Sequence, residues 1–97
     1  MANEQELLNI YLKTKIGVIG TGQMGTDIFL AFENYINELQ NKYNNHSVSS
    51  KDIFYLSDSD LSKKEYFGKL GFKHFGSNDE VIKIAKYNRY SKILVLS

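Results

Sequence analysis

The stretch KIGVIGTGQMGTDIFLAF, from Lys15 to Phe32, restricts the fold of this chain more than any other. Its first five residues, Lys15 to Ile19, are β-branched and nearly continuous in apolarity, the pattern of a parallel strand covered on both faces. Gly20, Gly22 and Gly25 follow at once, and Met24, Ile28, Ala31, Phe32, Tyr35, Ile36 and Leu39 then recur at helical spacing. This predicts a helix of roughly four turns or more, packed on the sheet by that stripe. A buried strand that turns sharply into a long amphipathic helix calls for a second, parallel strand, because the crossover is long enough to return the chain to the same end of a sheet.

The remaining sequence supplies further strands and helices. A polar, turn-rich run from Asn41 to Asp52 leads to IFYLS (Ile53 to Ser57), a second apolar strand. DSDLSKKEYFGKLG reads as a short helix capped by Ser59 or Asp60, with Leu61, Phe67 and Leu70 facing inward and Gly71 as its stop. FKHF (Phe72 to Phe75) alternates as a third, edge strand. Ser77 and Glu80 form a capping box that opens another helix, and KILVLS (Lys92 to Ser97) is a fourth strand. Upstream, Asn3 caps a helix through Leu12 whose Leu7, Leu8, Tyr11 and Leu12 make an apolar stripe. The expected organisation is a helical extension over residues 1–14 and one α/β domain over 15–97. Right-handed crossovers and doubly wound connections order its parallel sheet of about four strands as 3-2-1-4, flanked by helices.

Composition narrows the function classes. With 97 residues, 42% of them hydrophobic, the chain makes a single domain with a modest core. Lys and Arg number 12 against 11 acidic residues, scattered along the chain, so neither a nucleic-acid platform nor a polyanion binder is indicated. There is no cysteine, and His46 and His74 lie too far apart for ligand spacing, so no metal site is expected. His46 falls in a polar loop, and His74 is expected to face outward from an edge strand. The first 15 residues lack the charge pattern of a transit peptide and the apolar run of a membrane span, so a cytoplasmic location is expected. No serine sits in a nucleophile-elbow pattern, and the pairs Asp58 with Asp60 and Asp79 with Glu80 are explained by helix starts, so no catalytic residue is assigned.

The glycine turn carries the chemistry that remains. Gly20, Gly22 and Gly25 form G-x-G-x-x-G between a strand and a helix. In that context the first glycine permits the tight turn, the second lets backbone amides approach a pyrophosphate, and the third lets the helix lie close to the strand. The helix start adds free amides and the positive end of its dipole. At the end of the second strand, Asp58 favours an unphosphorylated ribose, whereas Ser57 and Ser59 with Lys63 or Lys64 suit a 2′-phosphate; the simpler role of Ser59 and Asp60 is to cap the next helix. The residues leave NAD against NADP open, and flavin and S-adenosylmethionine sites use similar glycine turns.

IGVIGTGQMGTDI resembles the opening of the pyrroline-5-carboxylate reductases and their vertebrate oxidoreductase-domain relatives, and the likeness continues through IFYLS and KLGFKHFGSNDEV. Three separated motifs occur in the family's order over Lys15 to Ser97. The resemblance implies the N-terminal half of a Rossmann NAD(P)-binding domain. By the same likeness Gly20, Thr21, Gly22, Gln23 and Met24 line the pyrophosphate, Ser57 sits near the 2′-phosphate, Asn78 contacts the adenosine ribose, and Ser97 opens the segment under the nicotinamide. The sequence departs from the family in a longer first helix and exit loop, and in KYNRY before the last strand, where relatives commonly carry an aspartate.

In that family the second half of the nucleotide domain and a helical dimerisation domain carry the catalytic groups, and these residues include neither. The resemblance thus implies the NAD(P)-binding portion of an oxidoreductase acting on a cyclic imine, not catalytic as this chain alone. The alternative is a pseudoenzyme: a non-catalytic structural or interaction module in a larger assembly. Either way the apolar edge at 92–97 is expected to meet a missing C-terminal half or a protein partner, unless the chain's own N-terminal helix covers it.

Overall fold

The computed structural model describes residues 3–20, 23–87 and 92–95. Along the chain run helix α1 (Glu4–Leu12), strand β1 (Ile16–Ile19), helix α2 (Gln23–Tyr43), a 3-10 turn (Ser50–Ile53), strand β2 (Phe54–Ser57), helix α3 (Lys63–Lys69), strand β3 (His74–Gly76), helix α4 (Asn78–Tyr87) and strand β4 (Lys92–Val95). The architecture is a small α/β fold with a parallel sheet flanked by helices. β1, β2 and β3 are successive parallel neighbours, in register from Ile16↔Phe54 to Ile19↔Ser57 and from Tyr55↔His74 to Ser57↔Gly76. β4 pairs with the other edge of β1, from Ile16↔Lys92 to Ile19↔Val95, so the spatial order is β3-β2-β1-β4.

Local chemistry sets most element ends. Asn3 accepts the Glu6 amide at 2.8 Å and starts α1. α2 runs to Tyr43, into the run read as loop, and stops where Asn44 adopts a φ of 50° and the Asn45 amide donates to the Gln40 carbonyl at 3.0 Å. α3 stops at Gly71, whose φ of 98° lets the Phe72 amide reach the Phe67 carbonyl at 3.1 Å. The Ser77 hydroxyl accepts the Glu80 amide at 3.2 Å at the head of α4.

Alternation along the strands divides the sheet into two faces. Ile16, Val18, Phe54 and Leu56 face one way into a single core with Leu8, Phe29, Ile36, Leu39, Phe67 and Phe72. All six phenylalanines of the chain join there through ring contacts, centred on Phe29, whose ring lies 6.2 Å from Phe54, 5.6 Å from Phe67 and 5.5 Å from Phe72. Phe32 and Phe75 extend it, against Phe54 at 5.9 Å and Phe67 at 6.1 Å. α4 packs on β1, β2 and β4; its crossover runs opposite in direction to that of α2, so right-handedness places it on the other face. Gly17 presents no side chain there, which lets α4 settle against β1.

Two readings of the inner faces are corrected. On α2 Ile36 and Leu39 of the expected stripe are buried and Phe32 packs against the core, joined by Gly25, Phe29, Glu33 and Gln40, whereas Ile28 and Tyr35 are 47% and 41% exposed and Ala31 faces solvent. The burial of Phe29 in the ring cluster rotates the stripe by about a residue from the one drawn through Ile28, Ala31 and Tyr35. The polar members are satisfied: Ser50 Oγ donates to Glu33 Oε1 at 2.6 Å, and Gln40 Nε2 donates to the Val48 carbonyl at 2.6 Å. On α3 only Phe67 is buried, while Leu61 and Leu70 are 65% and 37% exposed. The Asp60 carboxylate takes the Ser62 amide at 3.1 Å and the Ser62 hydroxyl at 2.6 Å, which delays the helix until Lys63 and strands Leu61 ahead of it. α1, finally, packs against α2 and the 3-10 turn, with Leu8 fully buried in the common core and Tyr11 edge-on to Phe32 at 5.3 Å. Its apolar stripe thus lies on the body of the domain, with Leu12 also packed against the core.

Candidate functional site

The carboxyl ends of the strands form one row: Val95, Ile19, Ser57 and Gly76 are successive register partners across the sheet. Gly20 leaves this row with a φ of 85°, a left-handed conformation that costs an L residue roughly 1–2 kcal/mol, and its amide donates to the Ser57 carbonyl at 3.3 Å. The turn out of β1 is thereby tied to the end of β2. Gln23 and Met24 open α2, and Gly25 is buried in its first turn. Thr21, Gly22 and Ser97 lie outside the described residues.

β2 delivers two candidate residues to different environments. The Ser57 side chain is fully buried, and its hydroxyl is 3.4 Å from the Val18 carbonyl, bridging β2 to β1 inside the sheet. Asp58, the next residue, emerges at the edge with its side chain 11% exposed. Its Oδ1 accepts the Asp60 amide at 2.8 Å, and its Oδ2 pairs with Lys63 Nζ at 3.2 Å. Asp60 is turned toward Ser62, whose hydroxyl and then amide hold its carboxyl below the usual carboxylate range. Ser59 is exposed and makes no cap to α3, whose first turn follows Ser62.

β3 ends at Gly76, where a Cβ would collide with the Glu80 carboxylate folded back over the turn. Asn78 is exposed at the first position of α4, two residues past the row. The structure therefore gathers Gly20, Ser57, Asp58, Gly76 and Asn78 at one edge of the sheet, with the Ser57 hydroxyl turned inward and the Asp58 carboxylate at the rim.

His74 lies on the edge strand β3 and faces away from the phenylalanine core, where it finds a partner. The parallel register sets it beside Tyr55, and the two rings stack at 4.1 Å and 12° on the face opposite the phenylalanine core. Lys15 Nζ lies 5.6 Å from the centre of the same tyrosine ring. Burial pushes the imidazole below its ordinary pKa; the Asp52 charge opposes this, and Lys15 and Lys73 add to it. Lys73 Nζ stands 3.3 Å from Asp52 Oδ1, which is buried and in ion-pair contact without a hydrogen bond. His46 is exposed. Among the described residues no cluster of histidine, aspartate and glutamate is arranged to hold a metal ion, and no helix is long and apolar enough to cross a membrane.

No family model matches the chain, and neither a curated protein nor a solved structure gives a significant match.

Proposed function

We propose that this chain is the NAD(P)-binding portion of an oxidoreductase resembling the pyrroline-5-carboxylate reductases, built as the N-terminal half of a Rossmann domain. The observation that carries the reading is the left-handed Gly20 between a central parallel strand and a long helix, its amide tied to the carboxyl end of β2. Neighbouring β2 and β4 lie on opposite sides of β1, so connections diverge at that strand, and a crevice outside the carboxyl ends at such a divergence is where open α/β sheets take nucleotides. In this reading the amides around Gly20 to Gly25 receive the pyrophosphate at the start of α2, Asp58 and Asn78 face the adenosine ribose, and Ser97 is assigned to the nicotinamide by the resemblance alone. No residue is assigned a catalytic role.

The test is a fluorescence titration of the 97-residue chain with NADH and with NADPH, with Gly22→Asp as control. Saturable binding lost in a folded Gly22→Asp variant supports the reading; absence of binding to both nucleotides overturns it.

The position of β4 at the outside of the sheet favours a second reading, a non-catalytic interaction module whose edge at 92–97 takes a strand from a partner or from further chain. A chain that stays monomeric at high concentration by light scattering counts against pairing between its own copies.

A further inference from the structure

We infer that the outward face of α2 is a contact between two copies of this chain, paired antiparallel about a two-fold axis at Tyr35. The contact does not depend on a bound nucleotide. The core absorbs only part of the apolar stripe along this helix: Ile28, Ala31 and Tyr35 stay exposed, and Glu38 and Lys42 continue the same line in solvent. These positions alternate by three and four residues, the spacing of a seam that meets another helix, whereas Phe29, Ile36 and Leu39 serve the chain's own core. Isoleucine and tyrosine are weaker helix formers than the polar residues usual on a solvated face, so local propensity gives no reason for them.

The charges on this face choose the occupant and its direction. Asp27 is exposed near the start of α2, and Lys42 is exposed in its last turn. Ile28 and Lys42 lie one heptad to either side of Tyr35. An antiparallel second copy therefore sets Tyr35 on its counterpart, lays the aliphatic stem of Lys42 over Ile28, and brings the Lys42 ammonium beside Asp27. The two-fold axis repeats each of these contacts, and Glu38 falls opposite Ala31 rather than opposite another acid. A parallel copy would instead put Asp27, Glu38 and Lys42 each against its own like charge. Lys42 can turn to this partner because its pair with Glu4, 3.1 Å long, is exposed on both sides and gives way easily.

The test is sedimentation velocity of the whole 97-residue chain over a concentration series, in which a monomer to dimer equilibrium is expected. Tyr35→Ser and Asp27→Lys, each checked for folding by circular dichroism, are expected to weaken the dimer about tenfold or more. Combining Asp27→Lys with Lys42→Asp is expected to recover most of the second loss. The chain has no cysteine, so single cysteines report the orientation. Asn34→Cys, about 3 Å from its counterpart along the paired axes, is expected to be joined by a short bis-maleimide, whereas Asn41→Cys, about 18 Å away, is not. A monomer at every concentration overturns the inference. So does a dimer that neither Tyr35→Ser nor Asp27→Lys weakens, which places the contact elsewhere, as at the β4 edge. Equal joining through Asn34→Cys and Asn41→Cys overturns the antiparallel pairing, and a charge exchange that restores nothing overturns the ion pair that sets its register.

Discussion

Gly71 shows how a single residue joins local and tertiary constraint. Its φ of 98° closes α3, and a Cβ there would lie 2.9 Å from Lys51 Cδ, so Gly71→Ala combines backbone strain with a contact that must give way. The variant is expected to lose about 1–2 kcal/mol in urea denaturation. Glu33 is read differently from sequence and structure. On the helix it is an acid among apolar residues, yet it is buried, accepts the Ser50 hydroxyl at 2.6 Å and lies 3.6 Å from Lys51 Nζ. Glu33→Ala leaves that buried hydroxyl without its acceptor and is expected to cost about 1–3 kcal/mol, with Glu33→Gln losing less. His74 gives a pH dependence. Its pKa in the fold lies below the ordinary 6.5, so as pH falls through 6.5 the unfolded chain takes up the proton first. The contribution of the neutral imidazole is therefore complete above 6.5 and is lost progressively down to its folded pKa. Thermal midpoints measured between neutral pH and mildly acid pH are expected to fall less in His74→Phe than in the parent chain.

At the scale of elements, α2 holds the sharpest contrast. Helical spacing located it, and Phe32, Ile36 and Leu39 of that stripe face the core, but Ile28, Ala31 and Tyr35 do not, while Phe29, outside the stripe, does. Phe29 meets the rings of β2, α3 and Phe72. Phe29→Ala is expected to cost about 3–5 kcal/mol, as deletion of a buried aromatic does. Ile28→Ser and Tyr35→Ser are expected to stay within about 0.5 kcal/mol, as exposed substitutions do. Equal losses across the three would place the wrong face inward. α3 makes the same point in seven residues: with Leu61 ahead of its start and Leu70 past its end, Phe67 is its buried anchor. The caps were legible because they depend on neighbours three or four residues away, as with Asn3 and Ser77.

For the whole molecule, ligand binding and folding are linked, so a nucleotide that recognises only the folded chain raises its stability. NADH at 100 times its dissociation constant is expected to add about 2.7 kcal/mol, read as a rise in the urea midpoint that the Gly22→Asp variant does not show. The linear order of alternating strands and helices, the glycine at the end of β1 and the caps at Asn3 and Ser77 were determined by the sequence itself, because each rests on periodicity or on hydrogen bonds between near neighbours. Tertiary structure decided which stripe of α2 is inside, that α1 shares the core, that His74 lies on Tyr55, and that the Ser57 hydroxyl turns inward while Asp58 stands at the rim. Those outcomes depend on surfaces brought together from distant parts of the chain, where strand register and the volume of neighbouring rings choose between arrangements that local spacing leaves equal.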